Sequence, residues 1–360
     1  MTNSSRRAFL QTTTAVAATC YIAGFAQDTG TSNQGDYRHD VPIDVQTAIN
    51  SGLAYLAGTQ NNDGSFGDNF LFRGNIAVTS LAGLAMMAGG NMPGSGTYGK
   101  NVMRAMQYIL DKEQKTPAGY LNNADGLFQQ APMYGHGFGT LFLCELYGMV
   151  PNSTLQLKLK NTIERAVNLI IQSQNSEGGW RYEPVKQQAD SSATICQIMA
   201  LRSARNAGFY VPGEVAKQCE DYVRSCQTLD GGFSYFSGQG PSAFPRSAAG
   251  LVALYCAGVY SGKEIDRALK YLIKFKPSQD SRISMANHYF YGHYYAAQAM
   301  WTAGPAYWNE WYPAISRELL MLRRTSAGAW IDPTICNHYA TAMACIILQL
   351  PNNYLPILQK

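Results

Sequence analysis

Gln174-Asn-Ser-Glu-Gly-Gly-Trp180 is one of five versions of a single seven-residue phrase in this chain. The others are Gln60-Asn-Asn-Asp-Gly-Ser-Phe66, Gln114-Lys-Thr-Pro-Ala-Gly-Tyr120, Gln227-Thr-Leu-Asp-Gly-Gly-Phe233 and Arg324-Thr-Ser-Ala-Gly-Ala-Trp330. A polar residue opens each phrase, a glycine stands fifth or sixth, and an aromatic closes it. Self-similarity at this period marks a repeat architecture in which each unit stacks on its neighbours. The anchors Gln60, Gln114, Gln174, Gln227, Lys276 and Arg324 lie 54, 60, 53, 49 and 48 residues apart. The fifth unit, Lys276-Pro-Ser-Gln-Asp-Ser-Arg282, keeps its preceding helix but lacks the glycine and the aromatic, which gives six units with one degenerate.

Apolar residues recur at steps of three and four before the phrases: Ile49, Leu53, Leu56 and Ala57, then Ala166, Leu169 and Ile170, then Leu269, Leu272 and Ile273. This is helical periodicity. Gly64, Gly178, Gly231 and Gly328 supply the left-handed position that ends a helix cheaply, and the aromatic after each is expected to pack back onto that helix. A second segment follows each phrase: Asn75–Ala88, Tyr134–Tyr147, Asp190–Asn206, Arg246–Ala257, His288–Ala303 and Tyr339–Leu350. These are small and apolar on most faces, as buried helices are. The first helix of each pair is more charged. Six outer and six inner helices closed into a ring follow, since an open solenoid would need polar capping repeats and none is evident.

The phrase resembles the turn motif of the squalene cyclase and protein prenyltransferase superfamily, best at Gln174–Trp180, and the resemblance runs from about Ala48 to Leu350. The tail half, His288–Lys360, is similar to an exported bacterial branch of toroid proteins. The resemblance implies an all-α (α/α)6 toroid with a central apolar cavity. Residues 44–360 are assigned to it.

The N-terminus reads as an address. Ser5-Arg6-Arg7-Ala8-Phe9-Leu10 resembles a twin-arginine export signal, followed by an apolar stretch and a small-residue cleavage site at Gly24-Phe25-Ala26. Residues 1–26 are set aside as a signal peptide, with the twin-arginine translocation machinery as the partner during export, and 27–43 as a flexible linker. The expected location is periplasmic or extracellular. Ala17-Ala18-Thr19 before Cys20 is a poor lipobox and argues against a lipoprotein. The other seven cysteines, mostly on apolar helical faces, suggest buried thiols rather than a disulfide framework. A net charge of +4 with only 14% charged residues leaves no basic footprint for nucleic acid, and no apolar run of the mature chain is long enough to span a bilayer.

Three segments are candidate sites. Asp190-Ser-Ser-Ala-Thr194 stands where proton-initiated cyclases of the superfamily carry Asp-x-Asp-Asp-Thr. Asp190 and Thr194 match, but Ser192 and Ala193 replace the later carboxyls, and a serine hydroxyl is too weak an acid to protonate an alkene. Asp190 also suits a helix N-cap, and this structural reading is favoured. Asp332, Cys336 and His338 are weak zinc candidates, because those residue types bind zinc in protein prenyltransferases. Their spacing within seven residues fits poorly, so no cofactor is favoured and zinc is the alternative. Asn287-His288-Tyr-Phe-Tyr291-Gly-His293-Tyr294-Tyr295 places many polar rings on one inner helix. His288, Tyr291 and Tyr295 share one face, and Tyr289 and His293 another.

The residues assigned to chemistry are Asp190, His288 and His293. Those assigned to ligand contact are His136, Thr194, Tyr289, Tyr291, Tyr295 and Trp301. The expected function is an exported toroid that binds a terpenoid or lipid-like molecule in an aromatic cavity, without alkene-protonating activity. The alternative is a toroid enzyme, either a terpenoid cyclase or transferase or a polysaccharide-acting one, working through His and Asp acid–base residues, with zinc as an optional metal. Few acidic residues beyond Asp190 and Glu145 fall on the inner helices, which weakens the hydrolase version, since hydrolysis usually needs two facing carboxylates.

Overall fold

The structure is a computed structural model, and it describes residues 41–127, 130–278, 288–323 and 328–359. The signal assignment and residues 27–40 of the linker therefore lie outside the described residues, as does most of the degenerate fifth phrase; the linker's last residue, Ile43, already begins the first helix. From residue 41 onward the chain forms one compact unit.

Twelve α-helices alternate between two layers among the described residues. The outer layer is α1 (Ile43–Thr59), α3 (Gly99–Asp111), α5 (Ser153–Ser173), α7 (Gly213–Ser225), α9 (Lys263–Leu272) and α11 (Pro305–Leu322). The inner layer is α2 (Ile76–Ala88), α4 (Met133–Leu146), α6 (Ser191–Asn206), α8 (Phe244–Ala257), α10 (Tyr289–Ala303) and α12 (Asn337–Gln349). A small antiparallel hairpin, β1 (Glu113–Lys115) and β2 (Ala118–Leu121), carries the second phrase.

The layers follow from composition. In α2 every residue but Ala77 is buried, whereas α9 buries only Ile265, Ala268, Leu269, Tyr271 and Leu272 on one stripe. An all-apolar helix has no face for water and goes to the inside; an amphipathic one goes to the rim. Each inner helix packs on the next, and α12 packs on α2, so the inner layer closes. The inner helices run parallel: at the shared C-terminal end Gln349 Nε2 donates to the Ala85 carbonyl and Asn352 Nδ2 to that of Ala88. This is the (α/α)6 toroid.

The phrases lock repeat to repeat. Gln174 Nε2 donates to Gly178 O in its own turn and to Val215 O in the first turn of the next outer helix, at 2.8 and 2.9 Å. Gln60 and Gln227 repeat this with Asn101 and Glu264. The turn glycines hold positive φ, 91° at Gly64, 95° at Gly178 and 92° at Gly231. A Cβ on Gly178 would lie 2.1 Å from the Gln218 carbonyl, so close packing as well as conformation demands glycine there. Trp180 and Trp330 turn back as expected, their Nε1 atoms donating to Ile170 O and Leu319 O of the outer helix just ended. All seven described cysteines are buried, free thiols.

Candidate functional site at the mouth of the ring

The parallel inner helices bring six N-termini to one end. There Asp190 caps α6: its Oδ1 accepts from Ala193 N at 2.7 Å and its Oδ2 accepts from the Tyr235 hydroxyl at 3.2 Å. Tyr182 and Tyr235 share a hydrogen bond between their hydroxyls. The Tyr134 ring lies 6.2 Å from that of Tyr182. From α10, Tyr291 reaches past α8 to donate to the Ser192 carbonyl at 3.0 Å. The Arg181 guanidinium lies 5.3 Å from the centres of both the Tyr182 and Phe236 rings. Tyr134, Tyr182, Tyr235 and Tyr291 are all partly exposed, whereas Asp190 is fully buried.

Burial raises the Asp190 pKa, against the lowering effect of the Ala193 N–H, the Tyr235 hydroxyl and the nearby Arg181 charge. Burial also holds Tyr134 and Tyr291 well above the usual phenol range, so both stay neutral. The groups around Asp190 are peptide N–H, phenol and guanidinium, and none is a second carboxyl. Glu145 sits at the opposite end of α4. It accepts from Ser203 Oγ at 2.7 Å beneath the C-terminal segment, whose Leu355, Ile357 and Leu358 are buried.

The centre of the ring differs from the open cavity the sequence suggested. Tyr294 of α10 meets Phe138 of α4, the helix directly across the ring, with ring centres 6.2 Å apart. The Tyr295 hydroxyl lies 3.5 Å from Cys196 Sγ of α6. Side chains thus fill the middle of the ring at this level.

Several residues read as site residues serve the fold. Thr194 Oγ1 accepts from Trp180 N at 3.1 Å and donates to Asp190 O at 2.7 Å. His136 Nδ1 accepts from Leu121 N, so its proton is on Nε2, which faces the Ala166 carbonyl at 3.2 Å. Neither has a polar atom left for a ligand. Trp301 lies near the C-terminal end of α10 against Trp308, far along the helix from the mouth. Tyr289 donates to Glu318 Oε2 and packs on His293, and the His293 ring faces Trp311; both point toward α11, away from the ring centre. His288 is an exposed helix-cap residue with φ of 62°. The structure therefore does not assemble Asp190, His288 and His293 into one acid–base cluster. Tyr291 and Tyr295, which share one helical face, do face inward.

Asp332, Cys336 and His338 do not fit a metal. His338 Nδ1 accepts from Gly67 N at 2.9 Å, which leaves Nε2 protonated toward Thr59 Oγ1 at 2.8 Å. Asp332 Oδ1 accepts the N–H groups of Thr334 and Ile335. Cys336 is buried beside Asp68, and burial pushes its thiol up to about 12. Among the described residues no three such side chains gather in a metal-holding group.

Tyr182 and Tyr235 were not singled out in the sequence, yet a signal was present: each stands two residues after a phrase aromatic, Trp180 and Phe233. Aligning the repeats on those aromatics would have found them.

A closed double ring of helices with its polar aromatic cluster at the N-termini of the inner layer defines an α/α toroid. The chain belongs to the family described as the prenyltransferase alpha-alpha toroid domain, which matches residues 50–211 and 210–281. Among solved structures it is similar to an inactive alpha-1,6-mannanase variant of Salegentibacter sp. HEL1_6 in complex with alpha-1,6-mannotriose. That match has 9% identity and a TM-score of 0.61, covering 86% of this chain and 99% of the other. It is also similar to a type II terpene cyclase from Scytonema, at 14% identity and a TM-score of 0.59, covering 87% and 98%. An alpha-mannanase of Bacteroides thetaiotaomicron matches at 13% identity and a TM-score of 0.52, covering 86% and 96%. No curated protein matches the sequence. At these identities the structural likeness establishes the fold alone.

Proposed function

We propose that this is an exported toroid that binds an apolar, terpenoid or lipid-like molecule at the tyrosine-lined mouth and does not protonate alkenes. One observation carries this reading: three of the four tyrosine hydroxyls at the mouth are already committed to the protein. The hydroxyls of Tyr182, Tyr235 and Tyr291 are engaged with one another, with Asp190 and with the Ser192 carbonyl. What the partly exposed rings offer a guest is aromatic carbon, which rewards apolar surface. Tyr134 alone of the four has no hydrogen-bond partner among the described residues, and it suits a single polar group on an otherwise apolar guest. Asp190 accepts hydrogen bonds at both oxygens from inside the protein and is buried, so it presents no outward acid proton. Ser192, at the position of the superfamily's acid, has none to give.

The alternative, a toroid enzyme working through Asp190, draws on the raised pKa of that buried carboxyl. One experiment separates the two. The mature protein, purified from its own host, is weighed by native mass spectrometry and then incubated with a host lipid extract. Binding predicts a retained apolar molecule, lost in Tyr291→Ala and unaltered in Asp190→Asn. New products that disappear in Asp190→Asn establish the enzyme reading instead. A bare protein that takes up nothing from the extract and makes no product defeats both.

A further inference from the structure

Comparison of the repeats with one another exposes a gap in the third. In the first repeat Arg104, on the outer helix after the phrase, grips the turn. Its Nη1 donates to Gln60 Oε1 at 3.2 Å, and its Nη2 donates to Asn61 O at 2.7 Å and to Asn62 O at 3.0 Å. In the fourth repeat Arg267 does the same, its Nη2 reaching Gln227 Oε1 at 2.8 Å and Thr228 O at 3.2 Å. In the second repeat Arg165 pairs with Glu113 through two nitrogens. The equivalence is structural as well as sequential: the backbones of Arg104, Arg165 and Arg267 each press against the left-handed glycine of the preceding turn, Gly64, Gly119 and Gly231.

Against Gly178 the residue in that place is Gln218. Its amide turns away and donates to Glu214 at 3.1 Å. A groove of about 600 Å³ remains between the end of α5 and α7, lined in part by Gln174, Asn175, Ser176, Glu177, Lys186 and Gln218. Gln174 is only 6% exposed, and both hydrogen bonds of its side chain are made by Nε2. Its Oε1, the atom that takes an arginine in repeats one and four, has no partner among the described residues. The Asn175 carbonyl accepts Gly178 N, as that of Asn61 accepts Gly64 N while also holding Arg104, so it keeps a lone pair for the same use.

We infer that this groove is a guanidinium-binding site, in which a guest supplies the group that Arg104 and Arg267 supply from within. Gln174 Oε1 and the carbonyls of Asn175 and Ser176 present the acceptor set, and the Glu177 carboxylate adds charge of the right sign. Lys186 shares the guest's charge and stands on the wall as the one opposing group. A planar fork of N–H donors matches such acceptors, and a lysine ammonium does so poorly. The guest is either a free guanidino compound or an arginine side chain of another protein.

The test titrates the intact mature protein with N-methylguanidinium, with the peptide amide Gly-Arg-Gly and with Gly-Lys-Gly. All stay far below denaturing concentrations, and the Gln174 side-chain amide is followed by NMR. Binding of methylguanidinium as tight as the arginine peptide identifies a small guanidino ligand; preference for the peptide identifies a protein side chain. Gln218→Arg, which supplies the guanidinium internally, is expected to weaken either guest by about tenfold or more. Glu177→Gln, a surface change that leaves the fold alone, should weaken it by about threefold to tenfold. Failure of all three probes to bind overturns the assignment. So does equal binding of the lysine peptide, or Gln218→Arg with undiminished affinity. The site lies on the outer rim, so its failure leaves the mouth untouched.

Discussion

His136 shows what burial does to a single side chain. It is wholly enclosed in α4, and desolvation drives its pKa down to about 4 even though the Ala166 carbonyl favours the proton. His293, enclosed in the same way, is driven to about 3. Above the unfolded value of about 6.5 both histidines are neutral whether folded or not, and pH has no purchase through them. Below it the unfolded chain takes up protons that the native chain refuses, so stability falls as pH drops from about 6.5 toward 4. For His136 alone the loss over that window amounts to roughly 3 kcal/mol. Urea denaturation midpoints measured from pH 7.5 to 4.5 should show this decline, and His136→Gln should make it shallower. A profile that is flat in the native protein would place solvent at the ring. The sequence showed that a histidine stood on a buried helix but not which way its ring faced. Its partner is Leu121, and that pairing exists only once the turn has folded back. Thr194 misled for the same reason. Thr79, Thr194, Ser247 and Thr341 each accept the N–H of a phrase aromatic. A hydroxyl read as a ligand contact is thus a repeated staple. Asp190, whose cap is local, was legible.

At the scale of elements, the turn and the next outer helix behave as one joint. Gly178 adopts a φ of 95° and lies against the backbone of α7, whereas Gly148 adopts a φ of 85° with nothing near its missing Cβ. Alanine at Gly148 meets only the cost of a left-handed backbone, about 1 kcal/mol. Alanine at Gly178 meets that cost and also drives a methyl into the Gln218 carbonyl, so α7 must move and the Gln174–Val215 bond lengthens. The loss there should be about 3 kcal/mol or more, a drop in thermal midpoint several-fold larger than for Gly148→Ala. Equal midpoints for the two variants would mean that turn and helix are not coupled. Helix order, the two layers and the glycine turns were all readable, because periodicity and composition report burial directly. The filled centre was not. Tyr294 and Tyr295 sit on α10, Phe138 on α4 and Cys196 on α6, and nothing local says that they meet across the ring. Nor does spacing alone show that Tyr289 and His293 turn outward, because helical geometry names the face but not its neighbour.

For the whole molecule the consequence of repetition is decided at one seam. An open array of repeats has free ends, and its stability is a sum of unit and neighbour terms, so ends fray and unfolding can proceed stepwise. Here α12 closes on α2, and the last helix is bolted to the first repeat. His338 takes the Gly67 N–H and faces Thr59, its backbone N–H donates to Asp68, and Gln349 reaches Ala85. These partners lie 264 to 279 residues apart along the chain. That long-range seam explains why His338 and Cys336, which resemble zinc ligands, belong to the ring's closure. It also makes a prediction that an open solenoid would not. The closed ring should unfold in a single transition, with tryptophan fluorescence and far-ultraviolet circular dichroism superimposed. His338→Ala and Gln349→Ala each leave a buried polar group unpaired at the seam, at about 1–3 kcal/mol apiece. Both should lower that single transition as a whole. Together they should weaken the closure enough to separate the two probes, because Trp330, beside the seam, would then report earlier than Trp180, on the far side of the ring. Single-tryptophan versions retaining one or the other measure this directly. Coincident curves for the two reporters in the double variant would show that the ring does not depend on this seam for its cooperativity.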